Sequence, residues 1–135
     1  MHAPKKSHYE KALHVVNYVK NHPELGLLMS STSAEDIVAY CDSDWASCPM
    51  SWKSVTGFCI KLGASHISWK AKKKSTISRS SVEAKYRSME HTVAELIWLK
   101  GLLKELQVNV KMPMELYCPG FAIAVIAEMG GSSHL

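Results

Sequence analysis

Two acidic residues, Asp42 and Asp44, stand two positions apart at the end of a short apolar run, Ile37 to Cys41. The run is rich in β-favouring residues and predicts a strand. Because side chains alternate along a strand, both carboxylates fall on one face at its end. Carboxylate oxygens suit a hard divalent cation such as Mg²⁺. The Asp-Ser-Asp pattern also fits ordinary turn and capping chemistry, so both interpretations stay open.

A basic stretch in the middle of the chain could bind phosphate. Positions 51 to 90 hold nine Lys or Arg residues against two acidic ones, while the whole chain has a formal charge of +4. This distribution favours a polyanionic partner held by one face, although charge alone fits a solvated lysine surface equally well. The candidate phosphate contacts are Lys70, Lys72, Lys73, Lys74 and Arg79.

Glu83 is the third candidate carboxylate. It stands three residues after Ser80, which is the spacing of a capping box, and spacing alone favours the cap over a metal ligand. The seven His residues lack paired ligand spacing, and the Cys residues at positions 41, 48, 59 and 118 lack zinc-site spacing. We therefore expect reduced thiols.

The elements that must position these residues follow from periodicity. Apolar residues from Tyr9 to Val19 recur in helical steps and predict an amphipathic helix, whereas Leu25 to Met29 predicts a short strand or extended segment. Ile37 to Cys41 is apolar at successive positions, which predicts a central strand covered on both faces. Val55–Leu62 and His66–Lys70 predict an antiparallel hairpin joined at residues 63–65.

A long helix is predicted to start near Ser80. Its proposed buried stripe comprises Val82, Tyr86, Met89, Val93, Leu96, Leu99, Leu103 and Leu106. Glu115 to Cys118 predicts a further strand, and Phe121 to Met129 predicts a terminal helix. A strand, a crossover helix and a returning strand give a parallel pair, so the fold class is α/β with a mixed sheet. If the first strand and Glu115–Cys118 are neighbours, Asp42 lies where their carboxyl ends meet, a common place for a site.

Composition narrows the class of protein. At 135 residues, with 47% apolar and 21% charged residues, the chain fits one ordinary soluble domain. No apolar stretch approaches the roughly 20 residues of a membrane span, and the start of the chain is charged where a secretory signal would be apolar. We therefore expect an intracellular protein, cytoplasmic or nuclear, with no membrane partner.

Four segments in order resemble a known family. YCDSDWASCP, KSVTGFCIKLGASHISWKAKKK, SRSSVEAKYRSM and AELIWLKGLLKELQV are similar to the ribonuclease H domain of copia-type retrotransposon Pol polyproteins. The resemblance covers about residues 4–118. It implies a connection segment after a reverse transcriptase over residues 1–35 and a ribonuclease H-like domain over residues 36–135. It also implies that this domain is incomplete at its C-terminus.

The family's reaction is hydrolysis of the RNA strand of an RNA/DNA hybrid with two metal ions, so the resemblance implies Mg²⁺ as cofactor. It matches Asp42 to the family's first-strand aspartate. In an active nuclease, the catalytic residues would be Asp42 and Glu83, and the metal ligands would be Asp42, Asp44 and Glu83. The implied partners are an RNA/DNA hybrid, or another nucleic acid, and a reverse transcriptase domain in the same polyprotein.

The chain departs from the family pattern at two acidic positions. The family typically reads E-A-E-Y on the long helix, where this chain reads EAKY, with Lys85 at the second acid. It typically reads L-Y-C-D-N on the next strand, where this chain has Pro119 and Gly120 after Cys118. An inactive relic of the nuclease is therefore expected. The alternatives are a non-enzymatic nucleic-acid-binding remnant and an active Mg²⁺-dependent nuclease with a reduced ligand set.

Overall fold

The computed structural model describes residues 3–44 and 51–125, with side chains described up to residue 120. The chain runs through seven elements: α1 (Lys6–Asn21), β1 (Asp36–Asp44), β2 (Val55–Leu62), β3 (Ser65–Lys73), α2 (Ser81–Glu105), β4 (Lys111–Cys118) and β5 (Phe121–Val125). The predicted first helix, the hairpin and the long helix are confirmed. Residues 25–29 form no strand or helix.

One sheet carries all the described strands, in the order β3-β2-β1-β4-β5. β1 and β4 are parallel and are connected through α2, whereas the other neighbouring pairs are antiparallel. The predicted mixed α/β sheet with a long crossover helix is therefore confirmed. Tyr40 of β1 lies in register with Tyr117 of β4, so the carboxyl ends of these strands do meet.

The core lies between α2 and one face of the sheet. Ile37, Ala39 and Cys41 alternate into it along β1, as the period of a strand requires. The other side of β1 is open, because Tyr40 and Asp42 are exposed and Val38 is only half-buried. The prediction that β1 is covered on both faces was wrong for the described residues, because a continuous apolar run does not distinguish two helical layers from one.

The buried side of α2 differs from the predicted stripe. Met89, Leu96, Leu99 and Leu103 are buried as expected, but Val82, Tyr86 and Leu106 are exposed. The inner positions near the start of the helix hold small residues instead, namely Ala84, Ser88 and Thr92. Small side chains let the helix lie close to the strands, and a search for large apolar residues misses them.

The segment after β4 is a strand where a helix was predicted. Phe121–Val125 pairs antiparallel with β4, so the prediction of a terminal helix was wrong there, and residues 126–129 lie outside the described residues. The reversal occurs at Pro119 and Gly120, and Gly120 has a φ of 86°, a conformation that favours glycine. The Pro-Gly turn joins β4 and β5 into a hairpin, and β5 thereby covers the edge of β4.

No helix in the described ranges is both long enough and apolar enough to pass through a membrane. The division at residue 35 and the assignment of residues 1–35 stay predictions.

Candidate metal and nucleic-acid site

Asp42 and Asp44 lie near and at the carboxyl end of β1, on the face of the sheet away from α2. We call this side the open face; Val38 and Tyr40 of β1 and Tyr117 of β4 also lie on it. Both carboxylates are exposed. Asp42 Oδ1 accepts a hydrogen bond of 2.7 Å from the backbone N–H of Ser43, its own neighbour. This bond is local and fits the turn and capping chemistry that the Asp-Ser-Asp pattern also predicts.

Glu83 is held at the start of α2 by two partners. Its Oε2 accepts a 2.7 Å hydrogen bond from the backbone N–H of Arg79, and its Oε1 lies 2.7 Å from Arg87 Nη2. Its own N–H donates to Ser80 Oγ at 3.1 Å, so Ser80 caps the helix as the spacing predicted. The reciprocal bond goes to Arg79 rather than to Ser80. Both carboxylate oxygens of Glu83 are thus engaged.

The orientation of α2 against β1 is set by Ser88, whose hydroxyl donates a 3.0 Å hydrogen bond to the backbone carbonyl of Asp42. At about 100° per residue, Lys85 lies about 60° from Ser88 around the helix, whereas Glu83 lies about 140° away. Lys85 therefore occupies the side of the helix nearer to the end of β1. Glu83 is turned away from it.

The third acidic position of the family pattern is occupied by Pro119. Since Tyr40 pairs with Tyr117, Pro119 follows β4 at the level of Asp42 on the neighbouring strand. Proline offers no side-chain oxygen to a cation. Within residues 3–44 and 51–125, no group of three or more His, Cys, Asp or Glu residues is placed to hold a metal ion. The residues present therefore do not fit a Mg²⁺ site made from Asp42, Asp44 and Glu83, and that ligand set stays a prediction.

The basic run is divided between the two faces of β3. Lys70 and Lys72 lie on the side of α2, where they border a small cleft with Phe58 and His91. Trp69 and Lys73 take the alternate positions toward the open face. The five predicted contacts therefore do not form one row, and Arg79 stands apart, exposed, before α2.

A larger cleft, of about 490 Å³, lies between the end of β3 and α2. It is bordered by Lys74, Thr76, Arg87, Glu90 and His91. Arg87 Nη1 donates a 2.7 Å hydrogen bond to Thr76 Oγ1 there, while its other terminal nitrogen meets Glu83. We call this the basic cleft.

Thr76, Arg87 and His91 were not among the site residues predicted from the sequence. A signal was available, because Glu83, Arg87 and His91 are spaced four residues apart and so share one side of a helix.

Two titratable groups near β4 have shifted pKa values. Burial, followed by the hydrogen bond with Cys118, raises the pKa of Cys41 from 9.0 to about 12. The hydrogen bond from Tyr117 to Glu115 Oε2, 2.8 Å long, raises the pKa of Tyr117. Cys41, Cys59 and Cys118 are free thiols, which agrees with the expectation of reduced cysteines, while Cys48 lies outside the described residues.

Comparison with curated proteins identifies relatives. An uncharacterized mitochondrial protein of Arabidopsis thaliana, AtMg00810, is 44% identical over 98 residues, which are 73% of this chain and 41% of that protein. The retrovirus-related Pol polyprotein from transposon RE2 of the same plant is 36% identical over 118 residues, 87% of this chain and 8% of the polyprotein. Secreted RxLR effector protein 161 of Plasmopara viticola is 30% identical over 96 residues, 71% of this chain and 68% of that protein.

The chain spans less than half of AtMg00810 and less than a tenth of the RE2 polyprotein. No family model matches the chain, and no solved structure matches it. Each of these three matches nevertheless covers 71% or more of the chain. The homologues of this chain therefore include retrovirus-related Pol polyproteins of transposons, which supports a retrotransposon-derived domain.

Proposed function

We propose that this chain is a ribonuclease H-like domain of a retrotransposon Pol polyprotein that binds an RNA/DNA hybrid without cleaving it. The ancestral reaction would be hydrolysis of the RNA strand during reverse transcription, inside a cell. The observation that carries the proposal is the placement of residues 83 and 85. Glu83 is held by Arg79 and Arg87, whereas Lys85 takes the side of α2 nearer to Asp42.

Electrostatics supports the loss of the metal site. A protonated lysine has no lone pair to offer and repels a cation. Two unit charges about 4 Å apart interact by about 4 kcal/mol at an effective dielectric of about 20, so replacing an acid by a lysine at a ligand position removes an attraction and adds a repulsion. Among the described residues, Pro119 on the neighbouring strand offers no carboxylate beside Asp42, and Glu115 of β4 lies further back, at the level of Val38. Mg²⁺ would therefore bind weakly.

The basic cleft supports retention of nucleic-acid binding. Lys74, Arg87 and His91 border it, and Lys70 and Lys72 lie beside it on the same side of the sheet. Arg and Lys contacts with phosphates supply most of the sequence-independent affinity of such complexes. The relationship to Pol polyproteins supports a context in which a reverse transcriptase precedes this domain in the same chain.

An active nuclease with a reduced ligand set is the second candidate. The observation in its favour is that Asp42 and Asp44 are both exposed on one face at one strand end. It would require Glu83 to leave Arg87 when Mg²⁺ binds. Cleavage that depends on both Asp42 and Glu83 would establish it over the first proposal.

The binding part is tested with a fluorescently labelled RNA/DNA hybrid and the whole 135-residue chain, by fluorescence anisotropy. Lys74→Glu in the basic cleft should weaken binding severalfold. Lys11→Glu, which makes the same charge change on exposed α1, is the matched control and should have little effect. Binding through the cleft would be contradicted if both variants lost the same amount of affinity for the hybrid, or if neither lost any.

A further inference from the structure

The apolar side of α1 is exposed throughout. Tyr9, Leu13, Val16 and Val19 recur at helical spacing, and their exposed fractions are 68%, 44%, 59% and 60%. The helix buries none of its residues. Such a stripe is characteristic of a helix that packs on another surface, because an exposed apolar stripe of this size is otherwise costly.

The open face of the sheet offers a second apolar surface. The rings of Tyr40 and Tyr117 stack on it, with centroids 5.6 Å apart. Beside them a shallow groove of about 390 Å³ is bordered by Tyr40, Cys59 and Trp69. Trp69 and Tyr40 are 59% and 46% exposed.

The charges of the two surfaces are complementary. The strands β1 and β4 place Asp42, Asp44 and Glu115 on the open face, while Lys61 and Lys73 lie toward the β2–β3 side. α1 carries three lysines and one glutamate. Stacked aromatic rings could also receive the bases of a single-stranded nucleic acid, but the three carboxylates would repel its phosphates. The chemistry therefore favours a basic amphipathic helix.

We infer that α1 of one copy of this chain docks on the open face of a second copy, and that the exchange is reciprocal. α1 has 16 residues and is therefore about 24 Å long. One such helix on a sheet buries on the order of 800 Å², below the roughly 1,200–2,000 Å² of stable interfaces. Two reciprocal contacts reach that range and close a twofold dimer that leaves neither surface free.

The first test measures mass by sedimentation equilibrium over a range of concentrations of the whole chain. We expect the mass of two copies at high concentration, falling toward one copy on dilution. Leu13→Glu should weaken association at least about tenfold. His14→Glu, a neighbouring position on the opposite side of the same exposed helix, should leave it unchanged. A single-copy mass throughout, aggregates larger than two, or equal effects of both variants would overturn the inference.

The second test identifies the surfaces in contact. A mixture of ¹⁴N-labelled and ¹⁵N-labelled chains is treated with a carbodiimide, which joins adjacent amines and carboxylates, and is then digested for mass spectrometry. We expect peptides that link Lys20 to Asp42, Asp44 or Glu115 and that combine the two isotopes. Links only within one isotope would mean that α1 folds back onto its own sheet, and links elsewhere would mean a different interface. Either result would overturn the reciprocal exchange.

Discussion

The hydroxyl of Ser88 donates a 3.0 Å hydrogen bond to the backbone carbonyl of Asp42. This contact joins α2 to β1 beside the candidate site and shows which side of the helix approaches the strand. Position 85 lies close to the side defined by Ser88, and position 83 does not. The retained acid, Glu83, therefore lies on the side of α2 turned away from β1. Lys85 occupies the side nearer to the end of β1, where an acidic residue could contribute to a metal site.

Restoring acids at the two departures should restore metal binding. The double variant Lys85→Glu, Pro119→Asp adds a carboxylate beside Asp42 on the neighbouring strand and replaces a positive charge by a negative one on the side of α2 nearer to the end of β1. It should therefore bind Mn²⁺, used as a paramagnetic substitute for Mg²⁺, at least about tenfold more tightly than the natural chain. Electron paramagnetic resonance measures the free ion directly. Lys104→Glu, in the last turn of α2, makes the same charge change as Lys85→Glu far from β1. An equal gain from that control would mean that net charge, and not a site, binds the ion.

Hybrid binding should fall steeply with salt, because phosphate contacts release counterions. Each phosphate neutralised changes the slope of log K against log salt by about 0.9 on a duplex. Lys72→Ala should therefore reduce the slope by about one unit relative to the natural chain, measured by anisotropy at several salt concentrations. Lys20→Ala on α1 should not change it. A slope near zero for the natural chain would contradict binding driven by charge.

The corrected inner side of α2 can be tested by stability. Leu96 is fully buried, so the substitution Leu96→Ala should lower the unfolding free energy of the protein by about 2–5 kcal/mol. Leu106 is 63% exposed, so the substitution Leu106→Ala should lower the unfolding free energy by less than about 0.5 kcal/mol. Urea denaturation of both variants makes the comparison. Similar losses would mean that the leucine stripe predicted from the sequence, and not the side containing Ala84 and Thr92, faces the sheet.

Stability should depend on pH through Cys41. Its pKa is raised from 9.0 to about 12 in the folded chain, so the folded state keeps the proton longer than the unfolded state. The unfolding free energy contributed by this group is therefore fully present below pH 9 and is lost as pH rises toward 12, by at most about 1.4 kcal/mol per pH unit. Chemical denaturation at several alkaline pH values, with Cys41→Ala as reference, isolates the effect. Parallel pH dependence in the two proteins would contradict it.

Much of this fold is predictable from the sequence because the periodicity is strong. The period of a strand separates Ile37, Ala39 and Cys41 from the face of Asp42 and Asp44, and the crossover rule made β4 the parallel neighbour of β1. The sequence could not show that the other face is open, because Val38 and Tyr40 are apolar whether or not a layer covers them. It also missed β5, since the apolar residues after Gly120 suit a helix or a strand and only pairing with β4 decides between them.

The candidate site was only partly predictable. The shared face of Asp42 and Asp44 and the capping role of Ser80 follow from spacing. The ion pair between Glu83 and Arg87 depends on the side-chain rotamers of both residues. It also depends on the hydrogen bond from Arg87 to Thr76, which lies eleven positions away and outside α2, so the spacing of residues along the helix could not predict it.

The most direct measurement is cleavage of an end-labelled RNA/DNA hybrid by the folded chain in Mg²⁺, compared with the Asp42→Asn variant. The account predicts no cleavage of the RNA strand by either protein, while both show the same folded circular dichroism spectrum and bind the hybrid. Cleavage by the natural chain that Asp42→Asn abolishes would contradict the account, because it would mean that a working metal site forms despite Lys85 and Pro119.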